Sequence, residues 1–77
     1  SHDCVIEDFV TVYSNVNISG NVCIKKMATL GVGTKVRQGL VIGKNSMTGA
    51  GAVVVKDVAS DVIVVGCPAE ILRENKN

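Results

Sequence analysis

The sequence contains few aromatic residues and a single proline. It contains one Phe, one Tyr, one Pro and no Trp in 77 residues, although 47% of the residues are hydrophobic. A chain of this length buries a modest share of its surface and usually needs cross-links or a partner for stability. These absences predict a narrow core of branched aliphatic side chains rather than a wide aromatic core.

Long hydrophobic runs and an excess of one charge are also missing. The longest apolar stretches, Ala52 to Val55 and Val62 to Val65, are far shorter than the roughly 20 residues that cross a bilayer. No charged-then-apolar signal segment opens the chain. Eight basic and seven acidic residues give a net charge of +1 without a basic stripe. We therefore expect neither a membrane nor a nucleic acid as a partner.

The cysteines and the first residue bear on the cellular compartment of the protein and on whether sequence precedes Ser1. Cys4, Cys23 and Cys67 are odd in number and lack the spacing of a CxxC or Cys/His motif, so we expect neither a disulfide framework nor a metal site. Free thiols are typical of the reducing cytoplasm, which is where we expect the protein. Because the sequence does not begin with Met and enters its repeat part-way, we also expect further sequence before Ser1.

A period of six residues runs through most of the chain. Every sixth residue is a branched aliphatic, with one exception, in the series Ile6, Val12, Ile18, Ile24, Leu30, Val36, Ile42, Thr48 and Val54. A second series, offset by two positions, holds uncharged small or medium-sized residues: Cys4, Val10, Val16, Val22, Ala28, Thr34, Leu40, Ser46 and Ala52. Neither strand alternation nor helical spacing fits this period.

The period predicts a coil of short strands. Each strand places an aliphatic and a small residue inward and then turns a corner, and three strands close one triangular turn. Ile6, Ile24 and Ile42 then stack in one buried column, and the hydroxyl of Thr48 is bonded within the ladder. We expect this coil to occupy residues 1–57.

Beyond Asp57 the period ends, and we expect residues 58–77 to form a C-terminal extension that packs on the coil. It consists of a loop to Asp61, a strand from Val62 to Val65, and a turn through Pro68. Because Pro favours the first turn of a helix, the turn is expected to lead into a short helix from Ala69 to Glu74. That helix would dock Ile71 and Leu72 on the coil.

The hexad pattern resembles that of the hexapeptide-repeat superfamily. This resemblance implies an all-β fold, a left-handed parallel β-helix of about three coils, whereas parallel crossovers in general favour the right hand. The segment from His2 to Val10 looks like the catalytic coil of bacterial sugar acetyltransferases of the sialic acid and bacillosamine type. Gly49-Ala50-Gly51 and Val65-Gly66-Cys67-Pro68-Ala69 occur in many hexapeptide acyltransferases.

The resemblance implies an acetyltransferase that works as a homotrimer. It would pass the acetyl group of acetyl-CoA to an amino or hydroxyl group of a sugar, in a nucleotide-sugar or surface-polysaccharide precursor. His2 would be the general base, since imidazole titrates near neutral pH, and Asp3 would steady the imidazolium. The acetyl-CoA contacts would fall at Thr11, Gly20, Val32, Ala50, Lys56 (for the phosphates) and Pro68 (near the adenine).

Several alternatives stay open at this point. His2 is either the native base or a residue left by cloning, Asp3 and Lys56 are otherwise solvated surface residues, and the glycines otherwise serve turn geometry. Thr11 stands where the similar enzymes commonly carry a second histidine, and the 77 residues do not include the nucleotide-sugar-binding domain that those enzymes carry before the β-helix. A truncated, non-catalytic trimeric scaffold is the second hypothesis. A metal-dependent carbonic anhydrase is disfavoured, because one histidine per chain does not supply three ligands.

Overall fold

A computed structural model of the protein describes residues 3–76, and His2 lies outside the described residues. Nine two-residue strands precede two longer ones within this range. They are β1 (Val5–Ile6), β2 (Thr11–Val12), β3 (Asn17–Ile18), β4 (Cys23–Ile24), β5 (Thr29–Leu30), β6 (Lys35–Val36), β7 (Val41–Ile42), β8 (Met47–Thr48), β9 (Val53–Val54), β10 (Val62–Val65) and β11 (Glu70–Glu74).

The strands form three sheets, one on each side of a triangular solenoid. Sheet 1 contains β1, β4 and β7, sheet 2 contains β2, β5, β8, β10 and β11, and sheet 3 contains β3, β6 and β9. Within sheet 1 the parallel register pairs Ile6 with Ile24 and Ile24 with Ile42. The predicted β-helix of about three coils and the stacking of its isoleucines are therefore confirmed. The column is buried at Ile24 and Ile42 but not at Ile6, which is 52% exposed because β1 pairs with β4 on one side alone.

The interior is filled by the two series that the period of six picks out. In the second and third coils both series are buried, including Ile24, Leu30, Val36, Ile42 and Val54. Thr48, the exception in the aliphatic series, is buried too, and its Oγ1 lies 2.7 Å from Oγ1 of Thr34. The Thr48 Oγ1 also accepts the N–H of Gly31 at 3.1 Å. The bond to Gly31, the residue that follows β5 in the ladder with β8, confirms that this hydroxyl is bonded within the ladder.

The corners between strands repeat one backbone conformation. At every sixth residue φ is positive, at Asp3, Phe9, Asn15, Asn21, Met27, Gly33, Gly39, Asn45 and Gly51. Asn, Asp and Gly tolerate this left-handed region, whereas Phe9 and Met27 are unusual there. The corner after sheet 1 is called corner 1–2 below, the corner after sheet 2 is corner 2–3, and the corner after sheet 3 is corner 3–1.

Gly31, Gly43 and Gly49 occupy a different corner position and serve close packing. A Cβ atom on Gly43 would lie 2.5 Å from the carbonyl carbon of Ala59 and from the backbone nitrogen of Ser60. A Cβ atom on Gly31 would lie 2.6 Å from the carbonyl oxygen of Thr48. These glycines are required because the next coil passes directly over them.

The C-terminal segment corrects one prediction. Residues 70–74 form β11, which pairs antiparallel with β10 through an irregular register, instead of the expected helix. Ile71 and Leu72 are 61% and 58% exposed, so the expected docking on the coil is also wrong. A helix of this length is marginal by itself, while the open edge of β10 offers backbone partners that a strand satisfies.

The strand from Val62 to Val65 and the turn at Gly66 to Pro68 are as predicted. The backbone stack itself continues past Asp57: Val58 bridges Ile42, and Ile63 pairs with Met47. Across residues 3–76 the secondary structure is strand and turn, and no helix is available to cross a membrane.

Candidate functional site

Corner 3–1 brings several of the predicted site residues onto one edge of the solenoid. Gly20 lies in this corner, and its carbonyl accepts the N–H of Gly39 from the next coil at 3.0 Å. Because β1 is in register with β4, Asp3 stands one coil before Asn21 in the same corner, exposed and with a φ of 55°. Lys56 follows β9 in the third coil. The edge therefore carries the predicted carboxylate at one end and the predicted phosphate-binding lysine at the other.

Lys56 is already engaged by an acidic neighbour. Its Nζ lies 3.6 Å from Oε1 of Glu70, and both side chains are about two-thirds exposed, at 68% and 66%. An exposed pair of this kind contributes little to the free energy of unfolding, and its lysine can readily exchange the carboxylate for another anion. A small cavity of about 90 Å³ lies beside Lys56 and is lined by Val58, Val64 and Ala69 among others.

Corner 2–3 brings Val32 and Ala50 together. They occupy equivalent positions in successive coils, and the N–H of Gly51 donates to the carbonyl of Val32 at 2.7 Å. Both side chains are exposed. Corner 2–3 and corner 3–1 are the two borders of sheet 3, so four predicted acetyl-CoA contacts (Gly20, Val32, Ala50 and Lys56) flank a single face.

Pro68 lies near the same face, at the end formed by the third coil. Val53 in β9 donates its N–H to the carbonyl of Gly66 at 2.9 Å and accepts the N–H of Ala69 at 2.8 Å. The turn that contains Pro68 is thereby bonded to sheet 3. Thr11, in contrast, lies on sheet 2 opposite Thr29. The structure therefore groups five of the predicted contacts and leaves Thr11 on another face.

Sheet 3 itself carries a groove of about 300 Å³. Its outward lining is polar in the first coil, basic in the second and apolar in the third: Asn17, Ser19, Lys35, Arg37, Val53 and Val55. Lys35 and Arg37 are not among the residues predicted from the sequence, because they occupy positions of the hexad that vary freely. Among residues 3–76 no group of three His, Cys, Asp or Glu residues is placed to hold a metal ion.

Comparison with known proteins gives relatives along nearly the whole chain. A serine acetyltransferase of Buchnera aphidicola is 32% identical over 82 residues, which is 95% of this chain and 31% of that enzyme. An acyl-[acyl-carrier-protein]–UDP-N-acetylglucosamine O-acyltransferase of Pseudomonas savastanoi is 39% identical over 74 residues, covering 96% of this chain and 29% of the enzyme. The chain thus spans about a third of the length of the curated relatives it matches. No family model matches it.

Solved structures agree in fold and in sequence. WeeI from Acinetobacter baumannii is 43% identical with a TM-score of 0.89, over 92% of this chain and 36% of WeeI. The acetyltransferase domain of PglB from Neisseria gonorrhoeae, solved with acetyl coenzyme A, is 37% identical with a TM-score of 0.91, over 92% of this chain and 35% of that domain. A perosamine N-acetyltransferase mutant from Caulobacter crescentus, solved with CoA and GDP-perosamine, is 36% identical with a TM-score of 0.88, over 90% of this chain and 33% of that chain.

The repeat, the triangular solenoid and these similarities define the class of the protein. Its fold is the hexapeptide-repeat β-helix, and over nearly its whole length the chain is similar to acyltransferases built on that fold. More particularly, its structural neighbours include a perosamine N-acetyltransferase and the acetyltransferase domain of PglB.

Proposed function

We propose that this chain is the acetyl-transfer part of an enzyme that moves an acetyl group from acetyl-CoA to an amino or hydroxyl group of a sugar. The acceptor is a nucleotide-sugar or a precursor of a surface polysaccharide. The observation that carries the proposal is the likeness to the PglB acetyltransferase domain, which is 37% identical and was solved with acetyl coenzyme A. The perosamine enzyme, at 36% identity, was solved with a nucleotide-sugar.

The chemistry rests on the start of the first coil. His2 acts as the general base that takes a proton from the acceptor as its nitrogen or oxygen attacks the thioester carbonyl. Asp3, the next residue, steadies the resulting imidazolium, and a backbone N–H group holds the developing oxyanion. The new C–N or C–O bond forms as the C–S bond breaks, and the CoA thiolate leaves and takes up the proton. No covalent acyl-enzyme is needed.

The arrangement of the binding residues supports a homotrimer. Gly20, Val32, Ala50, Lys56 and Pro68 surround sheet 3, whereas Thr11 lies on sheet 2. A site that uses both faces is assembled when sheet 2 of one copy approaches sheet 3 of the next. The outward side chains of β2, β5 and β8 are Thr11, Thr29 and Met47, which carry no charge and suit burial against a neighbouring copy.

Serine is the second candidate acceptor, because a serine acetyltransferase matches 95% of the chain at 32% identity. Either acceptor is consistent with direct attack of a nucleophile on the thioester. Acetyl-CoA and the three cysteines, which are in the thiol form, are consistent with a cytoplasmic setting.

Thiol release from acetyl-CoA tests the proposal directly. The protein is incubated with a panel of nucleotide amino sugars and, in parallel, with serine, and gel filtration reports its oligomeric state. We expect turnover with an amino sugar, a trimer, and a loss of roughly 10²- to 10⁴-fold in the His2→Ala variant. Asp3→Asn is expected to lose less. Turnover with serine alone would replace the sugar proposal, and a folded trimer without turnover would identify a non-catalytic scaffold.

A further inference from the structure

Sheet 3 differs from the other two faces in its charge. The outward strand residues of sheet 1 are Val5, Cys23 and Val41, and those of sheet 2 are Thr11, Thr29 and Met47. On sheet 3 Lys35 takes the equivalent position in the second coil, and Arg37 follows two residues later. Both side chains are exposed and both line the groove. Two positive charges are therefore concentrated on one face.

These two charges are not compensated by protein carboxylates. Among residues 3–76 neither Lys35 nor Arg37 forms an ion pair, and no acidic residue lines the groove. Two other lysines are paired, since Lys25 lies 3.7 Å from Glu7 and Lys56 lies 3.6 Å from Glu70. A pair of uncompensated cations in a concave surface raises the local concentration of anions.

The groove offers further groups that suit a phosphate. Arg37 directly follows β6, and residues two apart in extended backbone are roughly 6 to 7 Å apart. Lys35 and Arg37 are therefore able to converge on one phosphate group. Arg binds phosphate oxygens with a planar fork and Lys with a point charge. Asn17 and Ser19 add an amide and a hydroxyl donor in the neighbouring coil, and Val53 and Val55 offer an apolar surface on the other side.

We propose that Lys35 and Arg37 form a phosphate-binding site on sheet 3. This proposal rests on the proposed function, because the predicted acetyl-CoA contacts Gly20, Val32, Ala50 and Pro68 flank the same sheet. The phosphate belongs either to coenzyme A or to the nucleotide of the acceptor. The sequence had pointed to Lys56 for this role, but Lys56 faces a carboxylate and does not line this groove.

Calorimetric titration of the full chain tests the site with four probes: coenzyme A, dephospho-coenzyme A, uridine diphosphate and guanosine diphosphate. The test variant is Lys35→Gln/Arg37→Gln. The matched control is Lys26→Gln/Lys44→Gln, which removes the same charge from two exposed lysines of corner 1–2. Circular dichroism melting checks that both variants are folded. We expect a loss of roughly tenfold to a hundredfold in phosphate-ligand affinity for the test variant and less than about twofold for the control.

The probes separate the sources of the phosphate. If wild-type protein binds dephospho-coenzyme A as weakly as the test variant binds coenzyme A, the site holds the 3′-phosphate. If the wild-type protein binds both coenzymes equally and the variant loses both, the site holds the diphosphate. Loss confined to the nucleoside diphosphates assigns it to the acceptor. Wild-type binding that the test variant leaves unchanged would overturn this site alone, whereas a wild-type protein that binds none of the probes would overturn the acetyl-CoA proposal as well.

Discussion

The first and second coils have the same pattern of residues but very different environments. Ile6 in β1 and Ile24 in β4 occupy the same column, yet Ile6 is 52% exposed and Ile24 is completely buried. Val12 is 43% exposed, and its partner Leu30 is completely buried. Within these 77 residues β1 and β2 have a neighbouring coil on one side alone, so a hexapeptide coil does not by itself bury its aliphatic residues. Burial comes from having a coil on each side, as in other solenoids whose stability is a sum over neighbouring repeats.

Alanine substitution of the two isoleucines should give the largest difference in the free energy of unfolding. Ile24→Ala leaves a cavity between two coils and is expected to cost about 2 to 5 kcal/mol in the free energy of unfolding. Ile6→Ala removes a side chain that is half in water and is expected to cost about 1 kcal/mol, in proportion to its smaller buried area. Urea denaturation at one fixed protein concentration measures both, because self-association would make stability depend on concentration.

A conservative change keeps this comparison measurable if Ile24→Ala does not fold. Ile24→Val removes one methylene group and is expected to cost about 0.5 to 1.5 kcal/mol, while Ile6→Val should cost close to zero. Equal losses at the two positions would show that the first coil is covered in solution as fully as the second.

Two corner glycines provide the next contrast, between close packing and backbone conformation. Gly43→Ala puts a Cβ atom 2.5 Å from backbone atoms of Ala59 and Ser60. We expect the free energy of unfolding to fall by about 3 kcal/mol, because both backbone segments must shift. Gly39 has a φ of 77°, and a Cβ atom added to it would meet no atom within 4 Å. Gly39→Ala should therefore cost only the left-handed conformation, about 1 to 2 kcal/mol.

Chemical denaturation of the two alanine variants, with Gly39→Asn as a control, tests this ranking. Asn tolerates the left-handed region, so Gly39→Asn is expected to lie close to wild type. A Gly43→Ala variant that is as stable as Gly39→Ala would contradict the close approach of the loop from Asp57 to Asp61 over corner 1–2.

The threonine pair between the second and third coils allows a sharper test of a polar core. In Thr48→Val the Thr34 hydroxyl loses its 2.7 Å partner and keeps only the carbonyl of Gly49 at 3.4 Å. We expect a cost of about 1 to 2 kcal/mol for either single Thr→Val change. The double variant Thr34→Val/Thr48→Val should recover most of it, because both partners become apolar groups of similar shape.

A double-mutant cycle in urea measures the coupling between these two hydroxyl groups. Thr11→Val is the control, since Thr11 is exposed on sheet 2 and should change stability by less than about 0.5 kcal/mol. Strictly additive losses in the double variant would mean that the two hydroxyl groups act separately.

The coil was predictable from the sequence, whereas its end was not. A strict period of six specifies which residues point inward, and Ile6, Ile24 and Ile42 stack as that period requires. The segment from Ala69 to Glu74 has no period, and the proline before it is compatible with a helix start. Its conformation is decided by the free edge of β10, which exists only after the coil has formed.

The candidate site was likewise predictable from the sequence only in part. Motif resemblance pointed to Gly20, Val32, Ala50 and Pro68, and the structure places them around one face. Lys35 and Arg37, which we propose as phosphate ligands, were not selected from the sequence because outward hexad positions carry no pattern. Their significance depends on which strands share a sheet and on which carboxylates lie elsewhere, and both are properties of the folded chain.

The smallest expected effect is again a difference in stability between variants of the first two coils, at corner 1–2. Phe9 and Met27 both have a positive φ, of 63° and 62°, at a cost of about 1 to 2 kcal/mol that Asn largely avoids. Phe9 is 83% exposed and Met27 is 45% exposed, so Asn at position 9 forfeits little buried surface. We expect Phe9→Asn to raise the free energy of unfolding by about 0.5 to 1 kcal/mol, and Met27→Asn to raise it less. Thermal and urea unfolding measure both, and a loss of stability in Phe9→Asn would show that a contact in solution covers this phenylalanine.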